Sequence, residues 1–289
     1  QIAGSYDTHL IKLAEFLGKE VKKDPCPAVG ECAPNQSIYS GKKRIAAVEL
    51  DSKYIRGSVA SFEAAVKANG LEWAGAVLVP KYTDSSNTHI YTGQCLELSQ
   101  MGAQIVVPAT DPLTTSNMTV TGECSNFLWS MSNFAHDSDV ALKLMGGTWY
   151  PPKSGPGGFK GLAGGCYYQL WSDPDQASKC GKLKEAHDAW VAVAGESDWN
   201  ENGQGGLAGY QITHIWLGAL TNAGPDLTRE KFVAALNAYN NYDDLVTVPI
   251  TYLNSPNIAH GIDRFAVYEA TSSGGGRWKQ ISDGLVGSF

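Results

Sequence analysis

Between Arg44 and Tyr150, short apolar runs alternate with stretches whose apolar residues recur at helical spacing, and this alternation restricts the chain to few architectures. Arg44-Ile45-Ala46-Ala47-Val48-Glu49-Leu50 is too short for a stable helix and too apolar for a half-exposed strand, so it reads as a buried strand. Ile55–Asn69 reads as a helix, with Val59, Phe62, Ala65 and Val66 on one face and Gly70 as its stop. Ala76–Val79 is a second strand, Thr88–Met101 a second helix closed by Gly102, and Gln104–Val107 a third strand. A helical or looped segment holding Cys124 follows, then a fourth strand over Phe127–Ser130. Asp139–Met145 reads as a short helix and Thr148–Tyr150 as a fifth strand, stopped by Pro151-Pro152. Such alternation predicts the α/β class, with an open, parallel, doubly wound sheet. In these sheets a ligand sits beyond the carboxyl ends of the strands, near the point where the winding changes direction.

The flanking chain is less regular. Leu10, Leu13, Leu17 and Val21 predict a helix over Leu10–Lys23, and the Pro-, Cys-, Gly- and Asn-rich stretch Asp24–Gly41 reads as a surface loop. Lys153–Gly165 is rich in Gly, Pro and Ser and reads as a linker or flap. Helices are expected over Leu183–Val193, Leu207–Leu220 and Thr228–Tyr239, the last with Thr228 as N-cap. Val246–Trp278 is strand-like, with a turn at Gly274-Gly275-Gly276.

Charge and cysteine usage narrow the surroundings. A formal net charge of −7 disfavours a nucleic acid or an anionic membrane as partner. No run of apolar residues is long enough for a membrane helix. Gln1–Asp7 has neither a basic nor an apolar signal region, so an exported protein is expected to have lost its targeting segment before this point. The six cysteines include no C-x-x-C pair, which weakens zinc-ribbon and thioredoxin readings. An even count with local spacings suggests disulfides and an oxidising compartment. Many pairings are open, the sequence-local one being Cys26–Cys32, Cys95–Cys124 and Cys166–Cys180, and the alternative being buried thiols.

Motifs of catalysis are missing. There is no G-x-S-x-G elbow, H-E-x-x-H or Walker loop, and the six histidines are scattered. Gly203-Gln204-Gly205-Gly206-Leu207-Ala208 fits G-x-G-x-x-A, but no strand precedes it to aim a helix at a pyrophosphate. Asp198, Asn200 and Asn202 before Gly203 fit half of a calcium loop, although the position of the bidentate glutamate is Gly209. The plainer reading is a polar loop that caps the next helix. No cofactor is expected, and without a nucleophile–base pair the chain is expected not to be an enzyme.

The informative positions follow strands. Asp51-Ser52-Lys53-Tyr54, Thr110-Asp111 and Ser130-Met131-Ser132-Asn133-Phe134 converge on one edge of a doubly wound sheet. They offer hydroxyls, a carboxylate, an amide and aromatic faces, which suit a small polar ligand. Each of them taken alone is equally a cap or turn former.

Lys43–Val48, then Asp51, Tyr54, Gly57 and a helix ending Ala68-Asn69-Gly70-Leu71-Glu72, resembles the second lobe of type I periplasmic binding proteins of the branched-chain amino-acid kind. Thr83-Asp84, Leu96-Glu97-Leu98 and Met101–Val107 continue the likeness, as do Gly209-Tyr210, Ala219-Leu220, Ala223–Glu230, Ala234-Ala235-Leu236 and Arg277–Ser282. The resemblance implies two Rossmann-like lobes with a hinge, ligand captured between them, and delivery to an ABC permease from a periplasmic or otherwise extracytoplasmic location. It also implies that one lobe is incomplete, since the family normally begins with further chain. On this reading residues 1–40 form a leading helix and disulfide loop, and 41–150 the complete lobe. Residues 151–245 form a crossover, a Gly-rich insertion and helices of the other lobe, and 246–289 the closing strands. The resemblance places Tyr54 over the ligand and Ser52, Thr110, Asp111, Ser130, Met131, Asn133 and Phe134 at contact loops. A ligand sensor of the same fold, or a non-enzymatic assembly component, stays open as an alternative.

Overall fold

The computed structural model describes residues 6–28, 31–52, 57–82, 90–131, 157–163, 183–239, 265–272 and 276–282. The described residues fall into two compact units, one of residues 6–163 and 267–281, the other of 183–239, 265–266 and 282.

The first unit is built on a parallel sheet. Its strands are β3 (Arg44–Leu50), β4 (Glu72–Val79), β5 (Ile105–Ala109) and β6 (Leu128–Trp129), in the order β4-β3-β5-β6. The apolar run that predicted β3 has its reason here, because Ile45, Ala46, Ala47 and Val48 are fully buried between strands on both sides. At the sheet edge, β4 is mostly half-exposed. Ala46 pairs with Gly75 one step out of register with Ile45 and Trp73, so Ala74 is an extra residue. Gly75 takes φ 139 there, a conformation that favours glycine.

Helices cover the sheet. In α1 (Tyr6–Glu20), Leu10, Leu13, Ala14 and Leu17 are fully buried at helical spacing, and α1 packs against α2 (Ser58–Ala68). The approach is close, since a Cβ added at Gly18 would lie 2.9 Å from Asn69 Cβ. The chain reaches β3 through two short paired segments, β1 (Asp24–Pro25) and β2 (Gln36–Ser37), in the stretch expected to be loop. The Cys26–Cys32 disulfide closes this connection. Helix α3 (Thr92–Gln100) is tied by Cys95–Cys124 to a 3-10 turn at Gly122–Asn126, and α4 (Pro112–Thr119) follows β5. Two of the three expected disulfides are therefore formed, and Cys166 and Cys180 lie outside the described residues.

The glycine-rich stretch departs from expectation. Lys160–Ala163 is a strand, β7, and Gly157 through Leu162 are buried. Glycine here permits close approach and does not signal a linker. A Cβ on Gly158 would lie 1.8 Å from the Ala270 carbonyl oxygen, and one on Gly161 would lie 2.7 Å from that of Met131. Met131 forms a parallel bridge with Gly161, and β7 joins β8 (Ala266–Thr271) and β9 (Arg277–Gln280) in a second sheet. Where these meet, Tyr39 is fully buried. Its hydroxyl donates to the Trp129 carbonyl at 2.6 Å and accepts from the Lys160 amide at 2.8 Å.

The second unit holds α5 (Leu183–Ala194), α6 (Glu196–Ala223) and α7 (Arg229–Asn237), packed in sequence. Thr228 caps α7 as expected, accepting from the Lys231 amide at 3.2 Å. The expected polar loop before Leu207 is instead helix: Asp198, Asn200, Asn202 and the G-x-G-x-x-A stretch all lie within α6. Trp199 anchors this turn, fully buried against Trp190 and the His187 ring, and this packing overrides the low helix propensity of Asp, Asn and Gly. Asp198 accepts from Trp190 Nε1 at 2.9 Å and from Asn202 Nδ2 at 2.8 Å, a helical arrangement and not a loop wrapped round an ion. Among the described residues no cluster of three or more His, Cys, Asp or Glu could hold a metal, and no helix is long and apolar enough to cross a membrane.

Candidate functional site

In the first sheet, β3 leads outward to β4 at one edge, whereas β5 lies on the other side of β3. The winding therefore reverses between β3 and β5, and their carboxyl ends flank the crevice that such a reversal opens. Parallel register carries the strand ends to one level, with Leu50 beside Val79 and Glu49 beside Ala109.

At the end of β3, the Asp51 amide still donates to Val79 O at 2.8 Å, and Ser52 N turns back to Leu50 O at 2.6 Å. This tight turn leaves Asp51 exposed and Ser52 half-exposed at the rim. At the end of β5, Asp111 caps α4: Oδ1 accepts the Thr114 amide at 3.0 Å and Oδ2 the Thr114 hydroxyl at 2.6 Å. A carboxylate has further acceptor capacity beyond these two bonds, and Asp111 is only half-buried. Thr110 is fully buried, its hydroxyl bonded to that of Thr115.

At the end of β6, Ser130 and Met131 are fully buried. Ser130 Oγ donates to Lys160 O at 3.0 Å, and Met131 N donates to the same oxygen at 3.2 Å. Both extend β6 onto β7, so their groups hold strands together. Tyr54, Asn133 and Phe134 lie outside the described residues.

Two participants went unrecognised in the sequence. The Tyr82 amide, past the end of β4, donates to Thr114 Oγ1 at 3.0 Å, so Thr114 links the loops after β4 and β5. Tyr91, buried, donates to Pro80 O at 3.2 Å and braces the same loop, and burial pushes its phenol above the ordinary value. The rule that singled out the ends of three strands applies equally to Pro80-Lys81-Tyr82 and would have found Tyr82, whereas Tyr91, just before α3, carries no such signal. The opposite pole of the sheet carries a hollow of about 640 Å3 among Pro25, Ser37, Lys42, Gln104 and Asn126, which shares none of these residues.

Among the described residues the accessible chemistry at the carboxyl pole is thus two carboxylates, a hydroxyl, the half-buried Tyr82 and the exposed Lys81. Oxygen acceptors dominate, which suits a ligand that presents N–H donors or positive charge.

A family model described as periplasmic binding protein matches residues 37–275. Among solved structures, the chain is similar to a branched-chain amino-acid ABC transporter protein from Thermus thermophilus with bound valine, at 14% identity and TM-score 0.66, covering 99% of this chain and 66% of that one. It is similar to a fatty-acid ABC transporter substrate-binding protein from Thermomonospora curvata at 18% identity and TM-score 0.63, covering 100% and 68%. A leucine-binding protein from Thermotoga maritima matches at 12% identity and TM-score 0.61, covering 94% and 64%. The chain spans about two thirds of the length of these structures. No curated protein is significantly similar in sequence. At such identities the likeness establishes the two-lobed α/β fold and leaves the ligand open.

Proposed function

The chain belongs to the periplasmic binding protein family, and from that premise we propose that it captures a small polar, amine-bearing ligand of amino-acid-like class outside the cytoplasm, for delivery to the permease of an ABC importer. The observation that carries the ligand class is the pair of carboxylates, Asp51 and Asp111, at the two strand ends flanking the reversal point. A free fatty acid would bring its own carboxylate toward these two, a like-charge arrangement that disfavours ionisation. An ammonium group would meet opposite charge. Ser52 adds a hydroxyl, Tyr54 and Phe134 supply aromatic faces, and Asn133 an amide. Thr110, Ser130 and Met131 keep the strand ends in place. Binding without turnover is assigned, so ligand is recovered unchanged.

The test is calorimetric titration with amino acids, organic amines and fatty acids. Binding of an amine-bearing compound is expected, weakened by about tenfold or more in Asp51→Asn and Asp111→Asn, the scale of a hydrogen bond to a charged group. Binding of fatty acids alone, or affinity indifferent to both substitutions, would sink the reading.

A further inference from the structure

The first unit contains a buried charge cluster that the ligand reading does not use. Glu20, at the end of α1, and Lys160, at the start of β7, face each other at 2.8 Å with side chains 4% and 7% exposed. They are 140 residues apart in sequence. Ser37 Oγ donates to the same Glu20 oxygen at 2.8 Å, and Lys23 Nζ lies 2.5 Å from the other. The Glu269 carboxylate of β8, half-buried, accepts the amide of Gly158, two residues before Lys160, at 2.9 Å, and feels the Lys160 charge. Lys279 of β9 stands opposite Glu269 in register. Tyr39 faces the cluster from the loop before β3, bonded to the Lys160 backbone.

The position of this cluster gives it a consequence. The described chain leaves the first unit at Ala163, the last residue of β7, returns at Val267 in β8, and leaves again at Ile281, just past β9. The three strands of one small sheet are thus points at which the described chain passes between its units, and the cluster joins two of them.

We propose that Glu20, Lys160 and Glu269 form a proton-responsive anchor that sets how firmly the passing strands are held in the first unit. One lysine serves two carboxylates, and the two respond oppositely to acid. For Glu269, burial is the largest influence and pushes the carboxyl above its ordinary 4.5, with the Glu20 charge adding to it; Lys160, the Gly158 amide and Lys279 pull back less. For Glu20, burial also pushes upward, but Lys160 and Lys23 outweigh it by charge and hydrogen bond, and the carboxyl ends below 4.5.

A carboxyl raised in the folded state stabilises fully below its unfolded value, and that stabilisation is lost as pH rises through the folded value. A depressed carboxyl stabilises above its unfolded value and loses this as pH falls through the folded one. Mild acidification from neutrality therefore protonates Glu269 first, removes the cost of burying its charge together with its lesser repulsion from Glu20, and firms the anchor. Strong acid then protonates Glu20 and releases Lys160.

Hydrogen exchange on the intact protein tests this without any ligand. The amides of Leu162 and Ala270 donate to Met131 O at 3.0 Å and Phe159 O at 2.9 Å and report the strands directly. Their protection relative to β5 amides, corrected for intrinsic exchange, is expected to rise on going from neutral to mildly acid pH. The rise should be about two- to tenfold per pH unit, tenfold being the ceiling for one proton. In Glu269→Gln the profile is expected to be flat, at the acid-form level. A flat wild-type profile, or a slope that survives in Glu269→Gln, overturns the proposal. Should that variant fail to fold, the wild-type profile decides alone.

Discussion

Asp111 holds Thr114 by both of its oxygens, one on the amide and one on the hydroxyl, at 3.0 and 2.6 Å. A single side chain thus fixes the first turn of α4 while presenting a negative charge at the rim of the reversal point. The two roles separate by substitution. Asp111→Asn keeps a good cap and is expected to change stability by less than about 0.5 kcal/mol while lowering amine affinity. Asp111→Ala loses the cap as well, at about 1 kcal/mol. Urea unfolding beside calorimetry distinguishes them, and equal stability loss in both would contradict the cap geometry.

Gly158 is expected to be among the least replaceable residues. An added Cβ would meet the Ala270 carbonyl, a backbone atom that cannot step aside. Gly158→Ala should cost about 3 kcal/mol or more. Gly93, in α3 with nothing within 4 Å of a Cβ, makes the contrast: Gly93→Ala should stabilise by about 0.4–1 kcal/mol. Chemical denaturation of the two variants checks both signs.

The two disulfides should differ in value. Cys95–Cys124 closes a span of 29 residues and Cys26–Cys32 one of 6. Loop-closure entropy then predicts losses of about 3–4 and about 2 kcal/mol for the paired alanine variants. Denaturation midpoints rank them, and peptide mapping under non-reducing conditions verifies the pairing.

Among the described tyrosines, Tyr39 and Tyr268 should resist alkali most. Burial pushes the Tyr39 and Tyr268 phenols well above their usual 10.0. The stabilisation tied to this is complete below the unfolded value and is lost as pH rises through the folded one, so their ionisation should coincide with unfolding. Ultraviolet titration in native and denaturing buffer, repeated on Tyr39→Phe and Tyr268→Phe, shows whether these phenols lag. Tyr39→Phe, which removes a donor to the Trp129 carbonyl and the acceptor of the Lys160 amide, should cost about 1–3 kcal/mol.

These residues also mark how far the sequence could be read. The β3 and β5 runs were legible because a central parallel strand must be apolar on both faces, and Ile45–Val48 and Ile105–Val107 are. The Thr228 cap was legible from its local spacing, and the Cys26–Cys32 and Cys95–Cys124 pairs match the sequence-local option, although spacing left other pairings open. Lys160 was not, since a lysine in a Gly-rich stretch reads as solvated until a glutamate 140 residues away is brought beside it. The first turns of α6 failed for a related reason: Asp198, Asn200 and Asn202 favour a loop locally, and only the burial of Trp199 makes the segment helical. At the candidate site, position was legible and accessibility was not. Ser130 and Met131 lie where the strand-end rule puts them, yet their partner strand β7 could not be foreseen, so they are interior residues.

The first unit is discontinuous in sequence, and this orders events during synthesis. Strands β3 to β6 can pair as soon as they emerge, but β8 and β9 follow roughly 100 residues after β7, about 5–20 s of translation at common rates. Throughout that interval Gly158 and the Lys160 ammonium are made before β8, the strand whose Ala270 and Glu269 meet Gly158. The nascent chain therefore carries an open apolar seam beside an incompletely compensated charge, and it closes only once β8 has been translated.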